Sequence, residues 1–473
     1  MTDLGPSSNR IVPWLVAVAF FMESLDTTIL NTAVPTLAAA LGIEPLSLRS
    51  VLSSYTLSLA VFIPASGWAA DRFGTRRVFA AAIGVFTLGS LLCGMATNIQ
   101  QMVAFRVLQG MGGALMVPVG RLTMVRTFPR SQLVRAMTFV GIPALIGPML
   151  GPVAGGAIVK YWHWRGVFFV NLPIGVVGLW MVYRHLPDYR AQRAEPLDLV
   201  GMGLFGAGIA LLSYVLEIFG EHSLSYADML GLLLLSGALL WLYWRHSTKR
   251  RFPLLHLELL RVRTARVAIV GGFVTRIAVA GVPFLLPMLY QAGLGRSPLA
   301  SGLLILPQSV AAMTLRALVP SLLRRYGHRR ILLTNTLMIG AVIAAFATVG
   351  PGTPTWLIVC QAFAFGFFAS CQYTSMNSLT YADVSDADAS KANTLASTAQ
   401  QMSMSFGVAS ASLAAALFVP HGEGWSPAAL VRGIHHAFVA LGAFTVVSAL
   451  VFVGLKSGDG ASVSRHRDEV PET

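Results

Sequence analysis

The sequence predicts an all-α polytopic membrane protein, and three observations carry that prediction. Only 11% of its 473 residues are charged and 55% are hydrophobic, whereas a soluble globular protein carries roughly 25% charged residues. Apolar stretches of about eighteen residues or more recur along the chain, each long enough to cross a ~30 Å hydrocarbon core as a helix. Basic residues cluster in the short connections between those stretches. Hydropathy places fourteen transmembrane spans, near 12–40, 47–70, 78–97, 99–119, 135–159, 165–185, 199–219, 226–245, 267–290, 298–319, 331–350, 354–379, 393–419 and 432–455. They are too long and too evenly apolar for barrel strands, which leaves helices as the elements that satisfy their own backbone in lipid.

Lysine and arginine set the orientation. With the N-terminus in the cytoplasm, the cytoplasmic loops and tails hold about 26 of the 34 basic residues, and the outer loops hold Arg49, Lys160, Arg165, Arg296 and Arg432. Such asymmetry predicts that both termini are cytoplasmic, which requires an even number of spans. Twelve would also be even; the leucine-rich stretches 199–219 and 226–245 decide for fourteen. The net charge of +14 belongs to loops that meet anionic lipid head groups. Without a basic soluble domain or an RNA-binding aromatic motif, no nucleic-acid partner is expected.

Span 1 begins like a signal peptide, with Ala38-Ala39-Ala40 as a would-be cleavage site. Its apolar region is too long for one, and it carries Glu23, Asp26 and Asn31. A charge in a span costs ~3 kcal/mol or more, so these residues are functional candidates. Glu23 and Asp26 are three apart and project from nearly the same helix face. Two such carboxylates in a low dielectric do not readily both ionise. One is therefore expected to hold a proton near neutrality, and an acid of that kind, reached from alternate sides, can carry a proton across.

After span 2 comes "GWAADRFGTRR" (67–77). Gly67 would permit close helix approach, Gly74 a tight turn, and Asp71 can meet a helix N-terminus or an arginine; Arg72, Arg76 and Arg77 complete the loop. "SLLRRYGHRR" (321–330), after span 10, repeats it: aligning Gly74 with Gly327, 253 residues on, aligns Arg76-Arg77 with Arg329-Arg330. Alone the loop would be an ordinary positive-inside turn; the repeat makes it a gate. The second copy has Arg324 where the first has Asp71, so the two are not charge-equivalent. The repeat divides the chain into related six-helix halves, 1–190 and 267–456, with a spacer pair and basic loop at 191–266 and a tail at 457–473. Repeats of this kind mark secondary transporters.

In span 5, Gly147, Gly151 and Gly155 recur every four residues and form a smooth face for close packing. Gly156 adjoins that face, and Pro148 and Pro152 remove backbone donors and predict a bend. "FPLLHLELL", within the basic loop 245–266, could lie on the membrane surface as a helix. Arg276 lies well inside span 9, whereas Arg316 is near an end of span 10 and could snorkel. In span 13, Gln400, Gln401, Met402 and Met404 suit an adaptable surface or simply hold helices together. Cys93, Cys360 and Cys371 lie in apolar segments with no metal-ligand spacing and read as small hydrophobes. The tail after Lys456 is polar and expected to be disordered.

These stretches together resemble the major facilitator superfamily, in its fourteen-span drug:proton antiporter branch. "GWAADRFGTRR" resembles the loop 2–3 signature, "RVLQGMGGA" (106–114) the span-4 signature, "GIPALIGPMLGPVAGG" (141–156) the antiporter signature of span 5, and "LDTTILNTAVP" (25–35) the span-1 signature. "WHWRGVFFVNLPIG" (162–175) and "GRSPLASGLLILP" (295–307) are further branch-like stretches. The resemblance implies two six-helix bundles plus two additional central spans, working by alternating access as a monomer in a bacterial inner membrane. Proton influx would drive export of small amphiphilic compounds. It also implies that Arg106 is the counter-charge of the span-1 acid, here Asp26; the pattern does not extend to Glu23. Asn31, Gln109, Arg276, Gln400 and Met404 are the expected lining of a central cavity. Arg276 and Arg316 would suit an acidic or zwitterionic substrate, against the expectation of a cation.

Two alternatives stay open at this point: Asp26 and Arg106 as a fixed pair needed only for folding, and an exporter dedicated to one metabolite. An enzyme would need a Ser/His or metal constellation at one depth, but the histidines are scattered mostly among loops and helix ends, and a membrane receptor would be expected to carry a signalling domain where this chain has a short polar stretch after Lys456. No metal or cofactor is expected. There is no GxxxxGK[ST] stretch for ATP, so a proton gradient is the expected energy source.

Overall fold

The computed structural model describes residues 7–191, 195–218, 225–385, 388–418, 427–456 and 458–464. Every regular element among them is a helix. Length and hydropathy single out twelve segments. One of them, Pro298–Thr348, runs 51 residues, too long for one crossing of a ~30 Å core at roughly 1.5 Å per residue. It holds two spans, joined at Gly327, where the backbone leaves the helix with φ 72° and ψ 165°. The helix Ala389–Ala416 is also long enough to cross, at 28 residues, but its serines, threonines and glutamines lower its hydropathy. With these two additions the described residues hold fourteen.

In chain order the helices are α1 (Ser7–Leu41), α2 (Pro45–Phe73), α3 (Thr75–Met95), α4 (Ile99–Thr127), α5 (Arg130–Tyr161), α6 (Gly166–His185), α7 (Leu199–Ile218), α8 (Tyr226–Ser247), α9 (Arg263–Gly293), α10 (298–326), α11 (328–348), α12 (Thr355–Thr380), α13 (Ala389–Ala416) and α14 (Ala428–Val453). Several outrun the expected spans. Hydropathy reports the thickness of the lipid, whereas a helix continues until its backbone is interrupted. Thus α4 runs on to Thr127, and Pro129 separates it from α5. The bend expected at Pro148 and Pro152 does not divide α5, which is one helix through Pro143, Pro148 and Pro152.

The chain forms two compact units, Met1–Gly203 with Ser297–Gly302, and Leu204–Arg296 with Leu303–Thr473. Inside each, the same pairings recur. In the first unit α1 packs on α5, and α3 on α4 and α6; in the second α9 packs on α13, and α11 on α12 and α14. The gate helices repeat in finer detail. A 3-10 turn at Ile63–Ala65 is followed by the helix Ser66–Phe73 and then Gly74, with φ 95° and ψ 144°. A 3-10 turn at Leu315–Leu318 is followed by a helix starting at Val319 and then Gly327. Only glycine takes such backbone angles readily, so the aligned glycines of the sequence repeat occupy one structural role.

Two expectations are corrected. "FPLLHLELL" forms no surface helix; its only helical part is the 3-10 turn Leu257–Arg261. Leu254, Leu255 and Leu259 are buried in the protein, where Leu255 N–H donates to the Tyr243 hydroxyl at 3.1 Å and Ser247 Oγ donates to the Leu255 carbonyl at 3.0 Å. These leucines found protein partners instead of lipid. The tail is likewise ordered at its start. Asp459 accepts from the Arg263 guanidinium, and Ser462 Oγ donates to the Ala382 carbonyl at 2.7 Å. The rest of the expected tail, 465–473, lies outside the described residues.

Candidate functional site

Four helices of the first unit bring polar side chains to one buried point. Asp26 of α1 is 2% exposed and Arg106 of α4 is 1% exposed. Arg106 Nη1 donates to Asp26 Oδ2 at 2.6 Å and to Gln109 Oε1 at 2.7 Å. The other carboxylate oxygen, Asp26 Oδ1, accepts from Gln109 Nε2 at 2.9 Å and from Asn171 Nδ2 at 2.9 Å. Both amides also donate to Ser90 Oγ on α3, at 2.7 and 3.0 Å. Arg106 Nε reaches the Val51 carbonyl at 3.4 Å, and its guanidinium lies 4.2 Å from the Tyr55 ring centroid. The Asp26 carboxylate thus accepts three N–H donors, one of them from a guanidinium, and hydrogen bonds with a charged partner are the stronger kind.

Local sequence explains this convergence. Asn98 caps α4 by accepting from Gln101 N–H at 2.9 Å, which starts the helix whose next turns present Arg106 and Gln109, three apart, on one face. The glycines of "RVLQGMGGA" let that helix sink between its neighbours. A Cβ at Gly110 would lie 2.7 Å from the Tyr55 carbonyl of α2, and one at Gly112 would lie 2.5 Å from the Phe86 backbone nitrogen of α3. Gly89 similarly admits the Gln109 backbone.

The other expected residues divide into those the structure gathers and those it does not. Glu23 lies one turn before Asp26, half-buried and outside the network, beside Ser24. Asn31 is half-buried further along α1. Gln109, expected in the cavity wall, is fully buried with both ends of its amide engaged by the network, and so belongs with Asp26. Ser90, Asn171 and Tyr55 were missed. Asn171 sits inside the quoted stretch "WHWRGVFFVNLPIG", and a lone asparagine in an apolar span was the available signal.

In the antiporter stretch, Gly147, Gly151 and Gly155 face α1 on the level of Asp26 and beyond. A Cβ at Gly147 would meet Ser24 at 2.8 Å, one at Gly151 Thr28 Oγ1 at 2.1 Å, and one at Gly155 the Ile29 carbonyl at 2.3 Å. Gly156 faces away, against Pro298 and Leu299, and Pro148 and Pro152 stand between the glycines of this face. In the loop after α2, Asp71 meets an arginine: Arg126 Nη2 donates to its Oδ1 at 2.6 Å. Gly74 packs against Asp188, which accepts from Arg76 N–H at 3.1 Å, while Arg72 and Arg77 are exposed. Gly67 is corrected: a Cβ there would meet nothing within 4 Å, so it mediates no close approach. Arg324, at the position of Asp71 in the repeat, donates to Ser321 Oγ at 3.1 Å.

The second unit has its own buried polar groups. Arg276 of α9 is 6% exposed, donates from Nη2 to Asn377 Oδ1 at 3.1 Å, and lies 4.9 Å from the Tyr373 ring centroid. Asn335 donates to Gln372 Oε1 at 2.7 Å, and Gln372 to Thr336 Oγ1 at 2.8 Å. Gln400 and Met404 of α13 are half-buried, and Arg316, in the 3-10 turn of α10, is exposed.

The sequence model described as Major Facilitator Superfamily matches residues 16–408. The chain belongs to the major facilitator superfamily. It is 38% identical over 452 residues to proteins named "Putative multidrug resistance protein MdtD" from Salmonella heidelberg and Salmonella typhi, with 96% of each chain covered. The run of motifs already resembled MdtD most, and the likeness extends over the chain. A solved D-xylose–proton symporter matches with a TM-score of 0.67 at 13% identity, covering 96% of this chain and 99% of that one. A POT family transporter in complex with 5-aminolevulinic acid matches with a TM-score of 0.68 at 14% identity, covering 96% and 97%. These two show the superfamily fold. As a member, the chain is a multi-pass membrane transporter of small molecules and not an enzyme.

Proposed function

We propose that the protein exports small amphiphilic compounds by alternating access, driven by proton influx, from a bacterial inner membrane with both termini in the cytoplasm. It works as a monomer and uses no cofactor. The observation that carries the proton-coupling reading is the buried Asp26–Arg106 pair completed by Gln109, Asn171 and Ser90. The likeness to MdtD supports efflux.

The mechanism follows from the hydrogen bonds. A proton on Asp26 turns one acceptor oxygen into a donor, so at least one of the three N–H groups facing the carboxylate loses its partner. Arg106 loses its counter-charge in a dry site, where an unpaired charge costs several kcal/mol. Protonation therefore destabilises this arrangement of α1 against α3, α4 and α6, and deprotonation restores it. Glu23, one turn away on the same helix, passes protons to and from Asp26. Asp71 with Arg126, and the loop pivoting at Gly74, bias which arrangement prevails. One proton moving down 100 mV supplies ~2.3 kcal/mol and each pH unit adds ~1.4, enough together to hold a substrate gradient of a few hundredfold.

The test is proton flux in proteoliposomes under an imposed pH gradient, triggered by a panel of amphiphilic ions. Wild type is compared with Asp26→Asn and Glu23→Gln after equal insertion is verified. Asp26→Asn is expected to abolish triggered flux and Glu23→Gln to slow it. Full coupling in Asp26→Asn would make the pair a folding element and overturn the reading.

A further inference from the structure

Arg276 is a buried cation without a carboxylate. Among the described residues no acid lies within ion-pair distance of it, and Tyr373 is the one titratable group whose field reaches it. Among the described residues its single hydrogen bond uses Nη2, and Nε and Nη1 have no acceptor there. A guanidinium carries five N–H donors in a planar fork that matches an oxyanion, and a buried charge with no compensation is costly. The surroundings are shaped around it. The Tyr373 ring lies 4.9 Å from the guanidinium carbon on one side, and Gly272, one turn earlier on α9, leaves room that a Cβ would take, 2.7 Å from Nη1. Met376 lines the same place, its sulfur 3.4 Å from where that Cβ would stand. An aromatic face, a thioether and an unsatisfied fork make a seat for an anionic head on an apolar body.

We infer that Arg276, held by Asn377 and Tyr373 in the space that Gly272 leaves, binds the carboxylate of the transported substrate, so that the exported compounds are amphiphilic organic acids or zwitterions. The inference rests on the reading of the chain as an exporter and names the substrate class of that reading. Two of the three nitrogens of the fork receive the two carboxylate oxygens, and the apolar body of the substrate lies along Tyr373 and Met376. A lipid phosphate has similar oxyanion chemistry, so the test must separate the two sources.

The test is equilibrium binding of fluorescent pyrenebutyrate, and of its uncharged methyl ester, to the full-length protein in nanodiscs. No gradient is applied, so binding can fail while proton flux survives, and the converse. Wild type is expected to bind the acid at least ~10-fold tighter than the ester, the scale of one charge-assisted hydrogen bond. Arg276→Gln should remove that preference and Arg276→Lys recover part of it. Gly272→Ala, which keeps the charge but displaces the guanidinium, should weaken binding of the acid while leaving the ester unchanged; it keeps the test decisive if Arg276→Gln does not fold. Equal binding of acid and ester by wild type, or an unchanged preference in folded Arg276→Gln, would overturn the assignment. So would binding present in phosphatidylcholine discs but lost in phosphatidylglycerol ones, because a lipid head group would then be the occupant.

Discussion

Arg106 in the first half and Arg276 in the second are buried alike, each over a tyrosine ring and each donating to the side-chain amide oxygen of a residue on the face of a transmembrane helix. Gln109 plays that part for Arg106 and Asn377 for Arg276. The difference is one carboxylate: Asp26 completes the first cradle and nothing among the described residues completes the second. The 253-residue offset of the repeat even sets Arg276 at the position of Glu23, so an acid in one half is exchanged for a base in the other. On the proposed reading, a proton would empty the charge-complete site and a ligand would complete the charge-incomplete one, so that the two halves would divide coupling from recognition.

The largest effect expected from breaking this comparison is at the complete site. Arg106→Leu leaves the Asp26 carboxylate buried without its counter-charge, a loss of about 3–5 kcal/mol, seen as a lower melting temperature in detergent. Adding Asp26→Asn should recover most of that stability and none of the proton coupling. A double variant that still couples would mean the pair is only structural.

Next in size are the glycines that seat α5 on the helix carrying Asp26. Gly155→Leu puts a side chain against the Ile29 carbonyl and should cost about 1–3 kcal/mol or more. Gly67→Ala, facing open space in a helix, should be neutral or stabilising by about 0.5–1 kcal/mol. The two melting curves decide whether close packing or mere membership of a motif matters.

The repeat predicts a matched pair of losses. Gly74→Ala and Gly327→Ala each force a side chain into a left-handed region, at about 1–2 kcal/mol, and both should slow transport. Slowing by one alone would show that the halves do not use their gates equally. Asp71→Asn is expected to be smaller still in stability, about 0–1 kcal/mol, because Arg126 and Asp71 are 27% and 35% exposed and water screens the pair.

The smallest effect lies outside the membrane. Lys391 and Ser385 hydrogen-bond the Asp388 carboxylate and hold its pKa below the ordinary value. A depressed folded pKa means that its stabilisation is present above the unfolded pKa near ~4 and is lost as pH falls through the folded value. Asp388→Asn should therefore narrow the stability difference between neutral and acid pH slightly, as read by melting curves across that range.

Much of this could be read from residue order. The fourteen spans followed from hydropathy because lipid allows few solutions, and Gly74 and Gly327 were found because a positive φ leaves a glycine behind in sequence. The Asp26–Arg106 pair was legible through the motif resemblance, since charges in a span are rare enough to be matched. Gln109, Ser90 and Asn171 were not recognised as one cluster. They are neutral, common residues on three different helices, and only packing brings them together. Hydropathy also could not separate leucines that face lipid from those that face protein, which is why "FPLLHLELL" was misread as a surface helix. Gly67 shows the reverse error, where a motif position was given a packing role that its neighbours do not support.

The most direct test of the division between coupling and recognition measures two quantities on two variants. Asp26→Asn and Arg276→Gln would each be assayed for gradient-driven proton exchange in proteoliposomes and for pyrenebutyrate binding in nanodiscs. The account predicts a double separation: Asp26→Asn binds the acid and exchanges no protons with either compound, whereas Arg276→Gln exchanges protons when triggered by the uncharged methyl ester and has lost its preference for the acid. If each folded variant loses both properties together, the two arginines serve one undivided site and the account is contradicted.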